Sequence, residues 1–269
     1  MTIGALRELL SVFQEVQLGD SPAFPSEYDQ PLERLMDLIR EIEPAESDEL
    51  WSQYPDLVEW QPVVTALYTR SIRRSEIASA RKIISSSSTG SNQDLIKTMG
   101  EFTRESYDRV RDMFDIVDFT SARRFVMIGC GPLPVTMLQV LHNTAVPEIL
   151  GLDVDAKALA ITNELFNVLD SGRLRSELAD GSAYDFGTAD VIYVANLISP
   201  KHRVLTQIAE TAASHAEVIL RDPYAMGRLF AEEGIKQLDP RLVISGSGEG
   251  NHRFLSRHVY LRMRDAGNE

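Results

Sequence analysis

Cysteine is almost missing from this 269-residue chain. Cys130 stands alone, so no intramolecular disulfide can form and an apolar core must hold the fold. A reducing, cytoplasmic setting is the expectation that follows. Also missing is any run near the ~18 apolar residues of a membrane span. The stretch from Met1 to Asp20 alternates apolar and charged residues in an amphipathic pattern, unlike the apolar centre of a signal peptide. Positive charge is short, with 27 Lys and Arg against 40 Asp and Glu and a formal net charge of −13. That balance repels phosphates, argues against a nucleic-acid partner, and otherwise favours solubility. The histidines, His142, His202, His215, His252 and His258, show no metal-ligand spacing with one another or with Cys130, so no metal is expected.

Hydrophobic residues make up 43% of the chain, enough for a sizeable core. They fall in two textures. Residues 1–118 read as an all-helical domain: Leu32, Leu35, Met36, Leu38 and Ile39 recur at helical spacing, as do Ile72, Ile77, Ile83 and Ile84. Pro22, Pro25, Pro31, Pro44, Pro55 and Pro62 mark helix starts or turns. The hydroxyl-rich run from Ser85 to Ser91 predicts a loop or hinge, because such side chains compete with helical hydrogen bonds. Residues 119–269 read as an α/β domain. Short apolar strands are predicted at 125–128, 148–153, 174–178, 190–195 and 217–220, alternating with helices at 134–143, 156–169 and 201–213. Such alternation implies a parallel sheet covered on both faces, a Rossmann-like arrangement. Segments 241–245 and 256–263 are expected to close it as an antiparallel pair.

The sharpest local signal is the run Gly129, Cys130, Gly131, Pro132, Leu133, Pro134 between the first strand and its helix. Glycines there allow a tight turn and close approach of backbone to a ligand. The third glycine of the dinucleotide fingerprint is replaced by Pro134, which suits the first turn of a helix. Asp153 ends the next strand, where a carboxylate can accept both hydroxyls of a ribose. Asp155 is a second candidate for that contact, or else the N-cap of the following helix. Asp180 follows the third strand and is either an adenine contact or part of an ordinary Asp-Gly turn. A Gly-x-Gly followed by Pro-x-Pro, with an acidic loop after the third strand, favours a nucleoside ligand without a pyrophosphate. S-adenosylmethionine (SAM) is therefore preferred over a nicotinamide dinucleotide. Cys130 fits as a small loop residue and not as a nucleophile, since no histidine partner is evident.

From Phe125 to Leu141 and from Glu148 to Leu169 the chain resembles the nicotianamine synthases and the bacterial opine-metallophore synthases. The likeness reaches back to Arg74–Arg81, which is similar to that family's Glu-containing helix, and covers roughly residues 70–225. The resemblance implies a class I SAM-methyltransferase-like Rossmann domain behind the helical domain. It also implies an enzyme that spends SAM as a substrate. An amine attacks the γ-carbon of the methionine part, takes the 3-amino-3-carboxypropyl group, and methylthioadenosine leaves.

Carried over residue by residue, Glu76 matches the family's helix glutamate and would take a proton from the attacking ammonium or orient it; a solvated pair with Arg73 or Arg74 is the alternative. Tyr107 would stand near the substrate or simply pack. Arg81 and Arg221 would clamp a carboxylate; the run from Arg221 to Tyr224, just after the fifth strand, is alternatively a strand-ending turn. Tyr193, Asn196 and Ser199 follow or end the fourth strand, near the reacting centre. Tyr193 is assigned to the cofactor, and Asn196 is favoured for the reaction because an amide both donates and accepts.

The expected partners are small molecules, SAM and an amino acid such as histidine, as in metallophore biosynthesis. A homo-oligomer contact through the helical half is a further expectation on which composition is silent. Intramolecular cyclisation of SAM to azetidine-2-carboxylate is the alternative outcome, since related azetidine-forming enzymes look similar in this half. Small-molecule methyl transfer and SAM binding without catalysis are the further alternatives.

Overall fold

A computed structural model describes residues 3–14, 16, 26–86, 109–169, 172–248, 250 and 254–264. Tyr107, and residues 87–91 of the serine run, lie outside the described residues.

The N-terminal part is helical, as the periodicity predicts: α1 (Ile3–Ser11), α2 (Asp29–Arg40), α3 (Pro44–Gln53) and the long α4 (Gln61–Ser86). Proline sets their starts. Pro44 opens α3, Pro55 opens a short 3₁₀ turn, and Pro31 and Pro62 sit in the first turns of α2 and α4, where no backbone N–H is needed. Leu6, Leu10, Phe13, Leu32, Leu35 and Ile39 pack with Val64, Leu67 and Tyr68 of α4 into one core. Helix α4 is about 39 Å long at 1.5 Å per residue. Its far end sends Ala80 and Ile83 into a different core, that of the sheet. Ser85 and Ser86 turn their hydroxyls back onto the Lys82 carbonyl at the end of α4.

The short helix α5 (Met113–Ile116) leads into the sheet. The sheet contains β1 (Arg124–Ile128), β2 (Glu148–Asp153), β3 (Leu174–Leu178), β4 (Val191–Val194), β5 (Glu217–Pro223), β6 (Leu242–Ser247) and β7 (Ser256–Met263). Helices α6 (Val135–Asn143), α7 (Ala156–Leu169) and α8 (Lys201–Thr211) follow β1, β2 and β4, and β3 passes to β4 without a helix. The strand order is β3-β2-β1-β4-β5-β7-β6. The β1–β5 ladders are parallel, while β7 runs antiparallel to both β5 and β6. The expected terminal antiparallel pair is thus present, with a register shift between Ile244 and Gly246.

Strand β1 shows why the sheet is covered twice. Phe125 and Met127 enter the core on one face; Val126 and Ile128 enter the core on the other. The chain reverses its direction of travel across the sheet between β1 and β4, and the crevice at the carboxyl ends of those strands is where α/β sheets bind ligands. No helix among the described residues is long and apolar enough to cross a membrane.

Candidate active site

A cavity of about 340 Å³ opens at that crevice. Its floor is the turn after β1. Gly129 and Gly131 hold φ angles of +77° and +63°, which side-chain-bearing residues adopt at a cost. At Gly129 a Cβ would lie 2.5 Å from Ile198, so the turn also depends on close packing. Cys130 is buried, donates its backbone N–H to the Leu152 carbonyl at 3.1 Å, and has its thiol pushed up in pKa by burial. Such a thiol is not a nucleophile.

Asp153, at the end of β2, is locked beside this turn. Gly131 N–H donates to its Oδ2 at 2.9 Å and Asp155 N–H to its Oδ1 at 2.9 Å. Burial raises its pKa, and the backbone donors work against that. The fixed carboxylate keeps lone pairs for hydroxyl donors in the cavity. Asp155 does what the N-cap alternative says: its Oδ1 accepts from Lys157 N–H at 2.8 Å at the start of α7. Its other oxygen pairs with Arg73 of α4. Val154, between the two acids, lines the cavity and is 71% exposed, an apolar surface open to a flat ring.

Helix α4 supplies the opposite wall. Thr69, Ile72, Arg73 and Glu76 fall at i, i+3, i+4 and i+7 and all line the cavity. A Cβ on Gly131 would meet Glu76 Oε2 at 3.1 Å, so the carboxyl lies directly against the glycine turn. Burial raises the Glu76 pKa to about 8, against the lowering pull of Arg221 and Arg73, with Asp153 adding to the rise. Arg221, at the end of β5, also lines the cavity and is oriented by Nε donating to Ser256 Oγ at 3.1 Å. Asn196, after β4, lines it as well, and its Oδ1 is buried without a hydrogen-bond partner.

The structure therefore brings together Glu76, Gly129, Cys130, Gly131, Pro132, Asp153, Asp155, Asn196 and Arg221. Three expectations need correction. Arg81 is exposed and away from the cavity, because it sits off the α4 stripe that carries Glu76. Tyr193 is 1% exposed and packs inside the sheet core with Phe125 instead of lining the cavity, beside its register partner Met127, which does line it. Asp180 also stays outside the lining, its Oδ1 taken by Ser182 N–H and Oγ at 2.8 Å each, the turn geometry of an Asp-Gly step. Ser199 faces Glu232, donating to Oε2 at 2.9 Å.

Val154 is missed by sequence reasoning, and Arg73 is expected only as a surface partner of Glu76, whereas it lines the cavity and pairs with Asp155. The i, i+3, i+4, i+7 stripe through Glu76 could have found Arg73. Nothing marks Val154 except its place between two acids. Among the described residues no group of three or more His, Cys, Asp or Glu is placed to hold a metal ion.

This is an α/β Rossmann-like fold of the SAM-dependent methyltransferase type, with a helical layer over the carboxyl end of the sheet. Within that class it is similar over nearly its whole length to solved structures of the nicotianamine synthase MtNAS. A glutamate-to-glutamine variant of MtNAS matches with TM-score 0.79 and 15% identity, covering 97% of each chain. The same variant in complex with S-adenosylmethionine matches at 0.78 and 14% over 97% of each. MtNAS in complex with MTA and tNA matches at 0.79 and 15%, over 97% of this chain and 98% of that one. At such identity the likeness establishes the fold. No protein-family model and no curated sequence matches the chain.

Proposed function

We propose that the cavity binds SAM as a substrate and that the enzyme transfers its 3-amino-3-carboxypropyl group to the amine of an amino acid, histidine-like in kind, as a step of metallophore assembly. The observation that carries this reading is the Glu76 carboxyl, held by the helical layer against the Gly131 turn. A nucleoside site thereby faces an acid whose pKa, about 8, suits proton exchange with an amine.

The residues divide the work. Asp153 takes the ribose hydroxyls, and Val154 offers its surface to the adenine. Arg221 holds a carboxylate of the transferred arm or of the acceptor. Asn196 Oδ1, which lacks a partner, accepts from an ammonium. Glu76 is largely protonated at neutral pH in the empty cavity, given its pKa of about 8. A sulfonium and an ammonium beside it favour the ionised form, so substrate entry converts it to a base. In the reaction the N–C bond forms, the C–S bond breaks with its electron pair going to sulfur, and the nitrogen gives one proton to Glu76. Holding the nucleophile in line with one of the three carbons on sulfur decides which group moves.

The test is to incubate the protein with SAM alone and with SAM plus each amino acid, and to identify the products by mass spectrometry. Methylthioadenosine that appears only with an added amine supports the proposal. Methylthioadenosine with azetidine-2-carboxylate from SAM alone replaces transfer by cyclisation. S-adenosylhomocysteine overturns both.

A further inference from the structure

Behind the cavity wall lies a hydrogen-bonded series of side chains drawn from separate elements. Thr136, in the first turn of α6, lines the cavity, and its hydroxyl is placed to act on the phenol of Tyr193 on β4 as a hydrogen-bond donor, lowering its pKa against the effect of burial. The Tyr193 hydroxyl is 3.1 Å from Nε2 of His258 on β7. His258 Nδ1 is 3.0 Å from Oδ1 of Asp112, just ahead of α5. Thr136, Tyr193 and His258 are 4%, 1% and 3% exposed, whereas the Asp112 side chain is 45% exposed. The series begins at the cavity and ends at solvent.

Chemistry sets the direction of each bond. An ionised carboxylate only accepts, so Asp112 requires the proton on Nδ1 of His258. Nε2 then carries a lone pair, and Tyr193 must donate to it. The Tyr193 oxygen in turn accepts from Thr136. Every bond therefore points outward. Burial raises the Tyr193 pKa and keeps the phenol as a neutral donor. Tyr260 rests its ring on His258, but its hydroxyl has no partner, so it is not a branch of the series.

The proposed reaction leaves one proton on Glu76 at each turnover, inside a cavity walled by α4. Arg221 acts electrostatically on both Glu76 and Tyr193, so the inner end of the series and the carboxyl share one guanidinium neighbour. We propose that Thr136, Tyr193, His258 and Asp112 form a proton exit path from the cavity to solvent. A proton arriving at the Thr136 oxygen displaces that hydroxyl's own proton to Tyr193. Tyr193 passes its proton to Nε2, Nδ1 passes its proton to Asp112, and Asp112 releases it to water. One proton enters, one leaves, and no other bond changes. The path rests on the functional reading above, since it needs a proton generated in the cavity.

SAM binding alone supplies that proton, because the sulfonium drives ionisation of Glu76. The experiment mixes SAM with the protein by stopped flow near neutral pH in weak buffer. Binding is followed by fluorescence and the released proton by a pH indicator. In the wild type the proton keeps pace with binding. Tyr193→Phe interrupts the path without changing volume. Asp112→Asn tests the exposed end with little risk to folding, since its amide can donate to Nδ1 and reverse the direction of the bonds. Both variants should bind SAM as the wild type does, with proton release slowed about tenfold or more. If SAM binds and the proton appears as fast in both variants as in the wild type, the path is overturned and the site reading stands. If SAM binds the wild type and no proton appears, the path is overturned together with the ionisation of Glu76 on substrate entry, and only the SAM site stands. If SAM does not bind the wild type, the site reading fails and the path falls with it.

Discussion

Glu76 concentrates the chemistry into one ionisation. Its carboxyl has a pKa of about 8 in the folded chain against 4.5 ordinarily. Between those values the folded protein binds a proton that the unfolded chain has already lost, so stability falls as pH rises, and above about 8 it levels off. Glu76→Gln keeps the shape and removes the titration. The ligand-free variant should therefore match the wild type near the lower of the two values and become the more stable of the two at alkaline pH, by an amount on the order of a few kcal/mol. Thermal melts across that range check this, and parallel pH profiles would show that Glu76 is not the strained acid. The same variant should bind SAM more weakly at alkaline pH, where it lacks the carboxylate that the sulfonium favours, and lose activity by about 10² to 10⁴-fold, measured as methylthioadenosine release at saturating SAM with acceptor present.

At the scale of elements, the site depends on α4 being fastened to the start of α7. Asp155 does this with two oxygens: one caps α7 through Lys157 N–H, and the other pairs with Arg73. Asp155→Ala removes both and should lower stability by about 1–2 kcal/mol in urea melts. Asp155→Asn keeps the cap and should cost about half of that or less. Equal losses from the two would put the weight on the ion pair instead. This fastening also explains what was legible in the sequence. The glycine turn and Asp153 can be read because strand, turn and helix fix them locally, so spacing alone places them. Glu76 could be reached through the resemblance. Arg81 was misplaced because a helix shows its periodicity but not which stripe will face a sheet far away in the chain. Tyr193 was misplaced for the matching reason in a strand: both faces of β4 are buried, so no polar alternation marks which residue reaches the cavity.

At the scale of the molecule, the expected division at residues 118 and 119 runs through a shared core. Met226, Leu229, Phe230 and Leu255 come from the α/β half, yet they pack with Leu35, Leu57, Val64 and Leu67 of the helical half. Tyr68 and Phe230 meet edge to face with centroids 4.8 Å apart. Gln61 Nε2 donates to the Arg228 and Ala231 carbonyls at 2.7 and 2.9 Å, and Arg228 donates to Asp48 at 2.6 Å. A cavity walled by both halves needs this rigidity, since the distance from Glu76 to the glycine turn is set by how they dock. Phe230→Ala should therefore destabilise the whole chain by about 3–5 kcal/mol, the cost of truncating a buried aromatic. The shared core further predicts that unfolding stays a single transition by fluorescence and by circular dichroism. It predicts too that residues 119–269 expressed alone expose the Met226–Phe230 surface and bind a hydrophobic dye. Two separated transitions in the full chain, with Phe230→Ala shifting only one, would instead make the halves independent domains, and the placement of Glu76 would then have to come from the ligand.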